Sequence, residues 1–290
     1  MIATGNHGDF DSLRVAPRPY LRAIDNRPYL RAADNRPYMN EIEVYPMTLF
    51  ITSSPYVENA DRALLSNANG FVDRLREALP PFPRALFICS DPERFDLTCQ
   101  FGADTVSAFA LAGMPFSAYH VLAGCNADQA EELISQSDLI VLAGGHVPTQ
   151  NAFFQDIGLR FLLEDFPGVV MGISAGSMNC ADQVYIQPEE EGESSPDFDR
   201  FAPGLGLTEV NILPHYQKVR DNILDGRRLF EDITYADSYG QLFFILPDGS
   251  YFYQDEECLL LCGESWCLHD GVLDKLQENG DVLDMDCWED

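Results

Sequence analysis

Five short, continuously apolar runs, separated by segments with helical spacing, constrain the fold of this chain more than any other feature. The runs cover residues 48–52, 85–89, 118–122, 138–143 and 169–173. Between successive runs, the spacing of apolar residues predicts helices over 70–79, 104–111, 127–134 and 151–163. Strands that are apolar on both faces and connected by helices are typical of a parallel sheet covered by helices on both sides. The sequence therefore predicts a three-layer α/β fold.

The segment after residue 215 has a different pattern. It predicts one helix over 221–230, followed by short strands over 241–246, 251–253, 258–262 and 266–269. Asp248-Gly249 and Asp270-Gly271 are strong hairpin-turn signals. We expect C-terminal antiparallel hairpins that extend one edge of the sheet, and no regular structure in the acidic stretch 278–290.

A repeat occupies the N-terminal part of the chain. Arg-Pro-Tyr recurs at residues 18–20, 27–29 and 36–38, which is a period of nine residues. Proline removes a backbone donor and restricts the residue before it, so a proline in every unit opposes a packed helix or strand. The pattern predicts a disordered, repeat-containing extension over 1–46 and one folded domain over 47–290.

The charge and the cysteines exclude several kinds of partner. With a formal net charge of −29, no nucleic-acid partner is expected, because phosphate contacts need clustered Lys and Arg. The chain has no run long and apolar enough for a membrane span and no secretory signal, so we expect no membrane partner and a cytoplasmic location. The eight cysteines lack the paired spacing of a zinc site, and neither a metal nor another cofactor is expected. Because the net charge of the chain is strongly negative, an acidic substrate would need a pocket that is locally positive.

Residues 172–176 read Gly-Ile-Ser-Ala-Gly and carry the strongest chemical signal. They match G-x-S-x-G between a predicted strand and a predicted helix, where a sharp turn exposes the serine above the sheet. A side chain at either flanking glycine would collide with a neighbouring strand or helix. The motif predicts Ser174 as a nucleophile. The backbone N–H groups of Ala175 and Gly145 would then form an oxyanion hole.

A nucleophilic serine needs a base, and His215 is the best placed of the histidines. It ends the apolar run 210–214, so its side chain can reach the same edge of the sheet as Ser174. His146 follows the predicted oxyanion turn and is a candidate for substrate binding. His120 lies inside an apolar strand and His269 precedes a hairpin turn, which makes both less suitable as the base.

Residues 173–177 read Ile-Ser-Ala-Gly-Ser, and residues 213–216, about forty positions later, read Leu-Pro-His-Tyr. These two motifs resemble those of dipeptidase E and cyanophycinase. Residues 142–145 read Leu-Ala-Gly-Gly and resemble the family's Gly-Gly-Asn loop, with His146 in place of the asparagine. The similarity runs from residue 47 to about residue 270 and makes 47–290 a serine peptidase-like domain. It implies a flavodoxin-like fold similar to the class I glutamine amidotransferases, which carry a cysteine at the elbow.

The resemblance also implies an activity and further site residues. It implies a serine-type peptidase that cleaves dipeptides with an N-terminal Asp, or related aspartyl linkages, through an acyl-enzyme. The family places its third catalytic residue, an acid, roughly fifteen to eighteen positions after the serine; an ungapped match selects Glu189, with Glu190 and Glu191 as alternatives. An arginine should meet an acidic substrate side chain, because its fork fits a carboxylate. The candidates by position are Arg200, Arg220, Arg227 and Arg228.

Two other functions fit the same elbow motif. An α/β-hydrolase esterase also uses G-x-S-x-G, but its late histidine would make His269 the base. A non-catalytic homologue would bind a small ligand without cleaving it. For the peptidase, the expected partner is a small peptide substrate, and a homodimer is an open alternative for its assembly.

Overall fold

A large, mostly parallel sheet forms the centre of the molecule in a computed structural model that describes residues 47–287. The predicted N-terminal extension, 1–46, lies outside the described residues. The strands are β1 (Thr48–Thr52), β2 (Arg84–Ile88), β3 (Ala118–Leu122), β4 (Leu139–Leu142), β5 (Val169–Ile173), β6 (Gln183–Tyr185), β7 (Phe201–Pro203), β8 (Ile212–Leu213), β9 (Ile223–Leu224), β10 (Arg227–Arg228), β11 (Leu242–Ile245), β12 (Tyr251–Gln254), β13 (Leu259–Cys262), β14 (Ser265–His269), β15 (Val272–Gln277) and β16 (Val282–Asp284). The central sheet has the order β16-β13-β12-β1-β5-β4-β2-β3.

The first five strands are parallel, as the apolar runs predict. The pairs β1–β5, β5–β4, β4–β2 and β2–β3 are all parallel. Strand β12 then pairs antiparallel with β1, and β13 and β16 continue outward from it. The predicted antiparallel extension at one sheet edge is therefore confirmed.

Helices cover both faces of this sheet. They are α1 (Phe71–Ala78), α2 (Phe95–Leu111), α3 (Ala130–Ser135), α4 (Val147–Asp156), α5 (Leu159–Leu162), α6 (Ala175–Met178), α7 (Tyr216–Val219) and α8 (Tyr235–Asp237). Strand β1 shows how the layers pack: Phe50 joins the core formed with α1 and α2, whereas Leu49 and Ile51 join the core formed with α3 to α6. This is the three-layer α/β arrangement of a flavodoxin-like fold. No helix in the described part of the chain is both long and apolar enough to cross a membrane.

A second, four-stranded sheet has the order β15-β14-β11-β8 and packs on the face that carries α3 to α6. The turn at Asp270-Gly271 joins β14 to β15 as predicted. Asp248-Gly249, in contrast, lies between β11 of the second sheet and β12 of the central sheet, so the hairpin prediction there is wrong. Strand β11 is parallel to β8, and this pairing brings residues 215 and 248 to the same end of the second sheet.

Two local predictions in the C-terminal half are wrong. Residues 221–230 were expected to form one helix, but β9 and β10 form a short antiparallel hairpin there. Asp225 and Gly226, at its turn, have φ angles of 50° and 79°, which a continuous helix does not allow. The acidic stretch 278–290 was expected to lack regular structure, but β16 pairs with β13.

Candidate active site

Ser174 stands at the junction between β5 and α6. Its φ and ψ angles are 52° and −114°, a conformation that a non-glycine residue adopts only when its surroundings hold it there. Its N–H donates to the carbonyl oxygens of Thr52 and Ser53, at 3.0 and 3.1 Å. These bonds fix the elbow to the end of the adjacent strand β1 and leave the hydroxyl above the sheet.

The two glycines of the elbow are required by close packing. A Cβ atom at Gly172 would lie 2.6 Å from Cα of Ser177, and one at Gly176 would lie 2.3 Å from the carbonyl oxygen of Leu142. Both distances are far inside van der Waals contact, and in each case the obstacle is backbone. The steric requirement predicted for the two glycines of G-x-S-x-G is confirmed at both positions.

His215 reaches Ser174 from the end of β8. Its Nε2 atom lies 2.9 Å from Oγ of Ser174, within hydrogen-bond distance for a base and a nucleophile. The histidine itself has a left-handed backbone, with φ 60°. Its N–H donates to Oγ of Ser53 at 2.8 Å. A strained backbone that other contacts hold in place is common at functional sites.

The acid beside His215 is Asp248. Its Oδ1 atom lies 2.6 Å from Nδ1 of His215, and its side chain is only 4% exposed. The prediction that Glu189 would be the third member of the triad is therefore corrected. Glu189 belongs to the loop between β6 and β7, and there its N–H donates to Oε2 of Glu193. Its neighbours Glu190 and Glu191 are exposed in the same loop.

Three donors surround the carboxylate of Asp248. Besides His215, Oγ of Ser53 donates to Oδ1 at 2.8 Å, and Nζ of Lys218 donates to Oδ2 at 2.5 Å. Burial alone would raise the pKa of this carboxyl, but the hydrogen bonds from His215, Lys218 and Ser53 outweigh it and hold the pKa well below its usual range. Asp248 therefore remains an anion that can orient and stabilise a charged imidazole.

The predicted oxyanion turn lies against the elbow. A Cβ atom at Gly144 would lie 3.3 Å from Cβ of Ser174, and one at Gly145 would lie 2.5 Å from Cβ of Ser90. The N–H of Gly145 donates to no other residue in the described range 47–287, and Gly145 lines the same cleft as Ser174. Ala175 is the first residue of α6, so its N–H has no acceptor within that helix.

A cleft of about 200 Å³ opens beside Ser174 and His215. Eight of the fourteen residues that line it have apolar side chains: Val147, Met178, Pro188, Pro214, Val219, Ile223, Leu224 and Leu229. Glu189 also lines it. Like Glu190 and Glu191 it is exposed, although the protein atoms beside its carboxyl raise its pKa, against a smaller opposing effect of His146.

His146 does not line this cleft. Its Nε2 atom bonds Oε1 of Glu193 at 2.9 Å, and its Nδ1 atom bonds Oγ1 of Thr149 at 2.7 Å. Both ring nitrogens thus have protein partners, and the histidine connects the oxyanion turn to the loop of Glu189. The predicted role of His146 in substrate binding stays a prediction, and the contacts favour a structural one.

None of the four candidate arginines lines the cleft. Arg200 is bound to Asp237, at 3.1 Å, and Arg228 forms a two-pronged contact with Asp232. Arg220 lies 3.2 Å from the carboxylate of its neighbour Asp221. The described residues that surround the cleft therefore include no Arg or Lys to receive an acidic substrate side chain.

Comparison with known proteins gives a structural likeness only. No protein-family model and no curated protein matches the chain. Its fold is similar to that of a protein from Listeria monocytogenes EGD-e, whose 1.5 Å crystal structure carries the provisional name peptidase E. The TM-score is 0.50 at 16% sequence identity, and the match covers 80% of this chain and 100% of that chain. At this identity, the likeness shows a shared peptidase E-like fold.

Proposed function

We propose that this protein is a serine hydrolase that cleaves small peptides through an acyl-enzyme. The observation that carries the proposal is a continuous chain of hydrogen bonds, 2.9 Å from Ser174 Oγ to His215 Nε2 and 2.6 Å from His215 Nδ1 to Asp248 Oδ1. A nucleophile, a base and an orienting acid in this order form a triad whatever the sequence positions of its members. Ser174 is the nucleophile, His215 the base and Asp248 the orienting acid.

The reaction would run in two halves. His215 Nε2 takes the proton of Ser174 as Oγ attacks the substrate carbonyl, and the N–H groups of Gly145 and Ala175 stabilise the oxyanion. His215 then gives the proton to the leaving amine, and the acyl group stays on Ser174. In the second half, a water molecule loses a proton to His215 and attacks the ester, and Ser174 regains its proton as the acid leaves. Asp248 keeps its charge throughout and stabilises the imidazolium.

The proposal that the substrate is a small peptide rests on two weaker observations. The fold resembles that of a protein named provisionally as a peptidase E, and the cleft is small, about 200 Å³, which favours a ligand of one or two residues. The preference for N-terminal Asp that the sequence resemblance implies has no support in the cleft, because no described cation lines it. We therefore propose small-peptide hydrolysis without that preference.

The esterase alternative has less support. It would need His269 as the base, but His269 pairs with Asp270 at 3.3 Å, while His215 bonds Ser174. The test is the release of amino acids from a panel of Asp-X, Glu-X and neutral dipeptides by the purified protein. We expect hydrolysis that is lost in Ser174→Ala and His215→Ala and retained in His269→Ala. If no dipeptide is cleaved, or if His269→Ala is the inactive variant, the proposal is wrong.

A further inference from the structure

The wall of the cleft contains one feature that the proposed reaction does not use, the carboxylate of Glu189. The elbow, the triad and the oxyanion hole need no further anion, and Asp248 occupies the position beside His215. The side chain of Glu189 reaches solvent, and the protein atoms around its carboxyl raise its pKa. A carboxylate at the edge of an otherwise apolar cleft is an acceptor within reach of a cationic group on a bound ligand.

The position of Glu189 is fixed by a second carboxylate. Oε2 of Glu193 accepts hydrogen bonds from the N–H groups of Glu189 and Glu190, at 2.8 and 2.9 Å, and its Oε1 binds His146. Burial would raise the pKa of Glu193, but these backbone bonds and His146 lower it overall. The loop is also bound by Asp225, whose Oδ2 accepts from Gly192 and Ser194. Such contacts hold the loop in the geometry that places Glu189 in the cleft wall.

We infer that Glu189 binds a protonated amine on the acyl half of the substrate and thereby disfavours an acidic side chain there. Among the described residues that line the cleft, Glu189 is the carboxylate and no Lys or Arg accompanies it. The net charge of −29 also favours cationic over anionic ligands. Apolar residues make up most of the remaining wall, so the acyl residue would carry an uncharged side chain of moderate size. This inference rests on the proposed function, since it names the substrate class of the same site.

Two chemical groups can supply this amine, and Glu189 would bind both in the same way. It is either the α-ammonium of a free N-terminal residue or the side-chain ammonium of Lys, and each would form a charge-assisted hydrogen bond with Glu189. Matched substrates separate the two sources. Leu-X and N-acetyl-Leu-X differ in the α-ammonium alone, and N-acetyl-Lys-X and N-acetyl-norleucine-X differ in the side-chain charge. Asn-X and Asp-X, which have the same shape, test the exclusion of an acidic side chain.

The first experiment measures kcat/KM for these pairs with the wild type, Glu189→Gln and the matched control Glu190→Gln. The control loses the same charge from the adjacent position, which does not line the cleft. We expect Glu189→Gln to lower kcat/KM for the amine-bearing substrate about 10- to 100-fold, to leave its neutral partner unchanged and to raise Asp-X relative to Asn-X. Glu190→Gln should leave all of these ratios unchanged. If Glu189→Gln slows both members of each pair equally, the inference is wrong.

The second experiment separates this inference from the proposed reaction. Calorimetric binding of the same peptides to Ser174→Ala needs no catalysis. We expect the amine-bearing peptide to bind at least about tenfold more tightly than its neutral partner, and Glu189→Gln in that background to remove the difference. If hydrolysis occurs but this difference in binding is absent, Glu189 has no such role. If the difference is present but the wild type cleaves no peptide, the amine site stands and the hydrolase proposal fails.

Discussion

Replacing Asp248 by Asn changes one charge in the proposed triad and almost nothing in shape. The side chain is 4% exposed and accepts from three donors, of which His215 lies on Oδ1 and Lys218 on Oδ2. An amide offers one acceptor atom and one NH₂ group, so it cannot accept from both sides as the carboxylate does. The substitution therefore forces a choice between two orientations of the amide.

Both orientations impair the base. If the amide oxygen faces His215, its NH₂ group meets the ammonium of Lys218, donor against donor. If the NH₂ group faces His215, Nδ1 must accept a hydrogen bond, so Nε2 carries the proton and cannot take another from Ser174. Lys218 favours the second orientation. We expect kcat to fall about 10⁴-fold, which corresponds to about 5.5 kcal/mol of barrier.

The assay is the steady-state hydrolysis of a dipeptide that the wild type cleaves. Lys218→Met in the Asp248→Asn background removes the opposing donor, so we expect it to recover about tenfold in kcat, although Lys218→Met alone should slow the wild type. Glu189→Gln, which tests the acid suggested by the family motif, should change kcat less than about tenfold. If Glu189→Gln abolishes turnover while Asp248→Asn retains it, the assignment of the acid is wrong.

Three further predictions concern stability, pH and the loop beside the cleft. Gly176→Ala places a Cβ atom 2.3 Å from the carbonyl oxygen of Leu142. We expect it to lower the free energy of unfolding, measured in urea, by about 1–3 kcal/mol or more. Unchanged stability would contradict the close contact between Gly176 and Leu142. Because folding lowers the pKa of Asp248, this carboxylate contributes on the order of 2 kcal/mol to the free energy of unfolding. The contribution is present above the unfolded pKa of about 3.9 and is lost as the pH falls toward the folded pKa. The stability gap between the wild type and Asp248→Asn should thus narrow as the pH falls below 4, and a gap that widens there would refute this sign. Glu193→Gln should speed hydrogen exchange at the amides of the loop, with Glu190→Gln as the control, and equal exchange in the two variants would show that the carboxylate does not order it.

The parallel half of the fold was predictable because four of its five strands, β1, β2, β4 and β5, are buried on both faces. A run such as 138–143 has no polar residue after its first position, and such strands occur where helices cover both sides of a sheet. The elbow was predictable for a different reason. The glycines at 172 and 176 face backbone atoms. Because no Cβ atom fits at either position, the sharp turn is visible in the sequence as two glycines beside the serine.

The acid beside His215 was missed because Asp-Gly also signals a hairpin turn. Asp248 was assigned to such a turn, whereas the chain passes there from one sheet to another. A signal for its role was present: residues 212–215 read Ile-Leu-Pro-His and residues 245–248 read Ile-Leu-Pro-Asp. The two strands before them are parallel neighbours, so both prolines direct the chain out at the same end. Only the pairing of β8 with β11, a contact between distant segments, makes that repeat interpretable.

The failed helix at 221–230 has a simpler origin. The segment contains Asp225-Gly226, a turn signal of the same kind as Asp270-Gly271, and in the structure this turn interrupts the segment. The resulting hairpin matters for the site, because Ile223 and Leu224 line the cleft and Asp225 binds the loop of Glu189. One wall of the cleft is thus formed by the region that the periodicity describes least well.

The most direct test of the account is the covalent reaction of a serine-directed fluorophosphonate, followed by intact-protein and peptide mass spectrometry. Since His215 lies 2.9 Å from Oγ of Ser174, we predict a single adduct on the peptide that contains Ser174, none on Ser174→Ala, and labelling slowed at least about 100-fold in His215→Ala. Equal labelling of the wild type and His215→Ala, or an adduct at another residue, would contradict the claim that this serine is activated by that histidine.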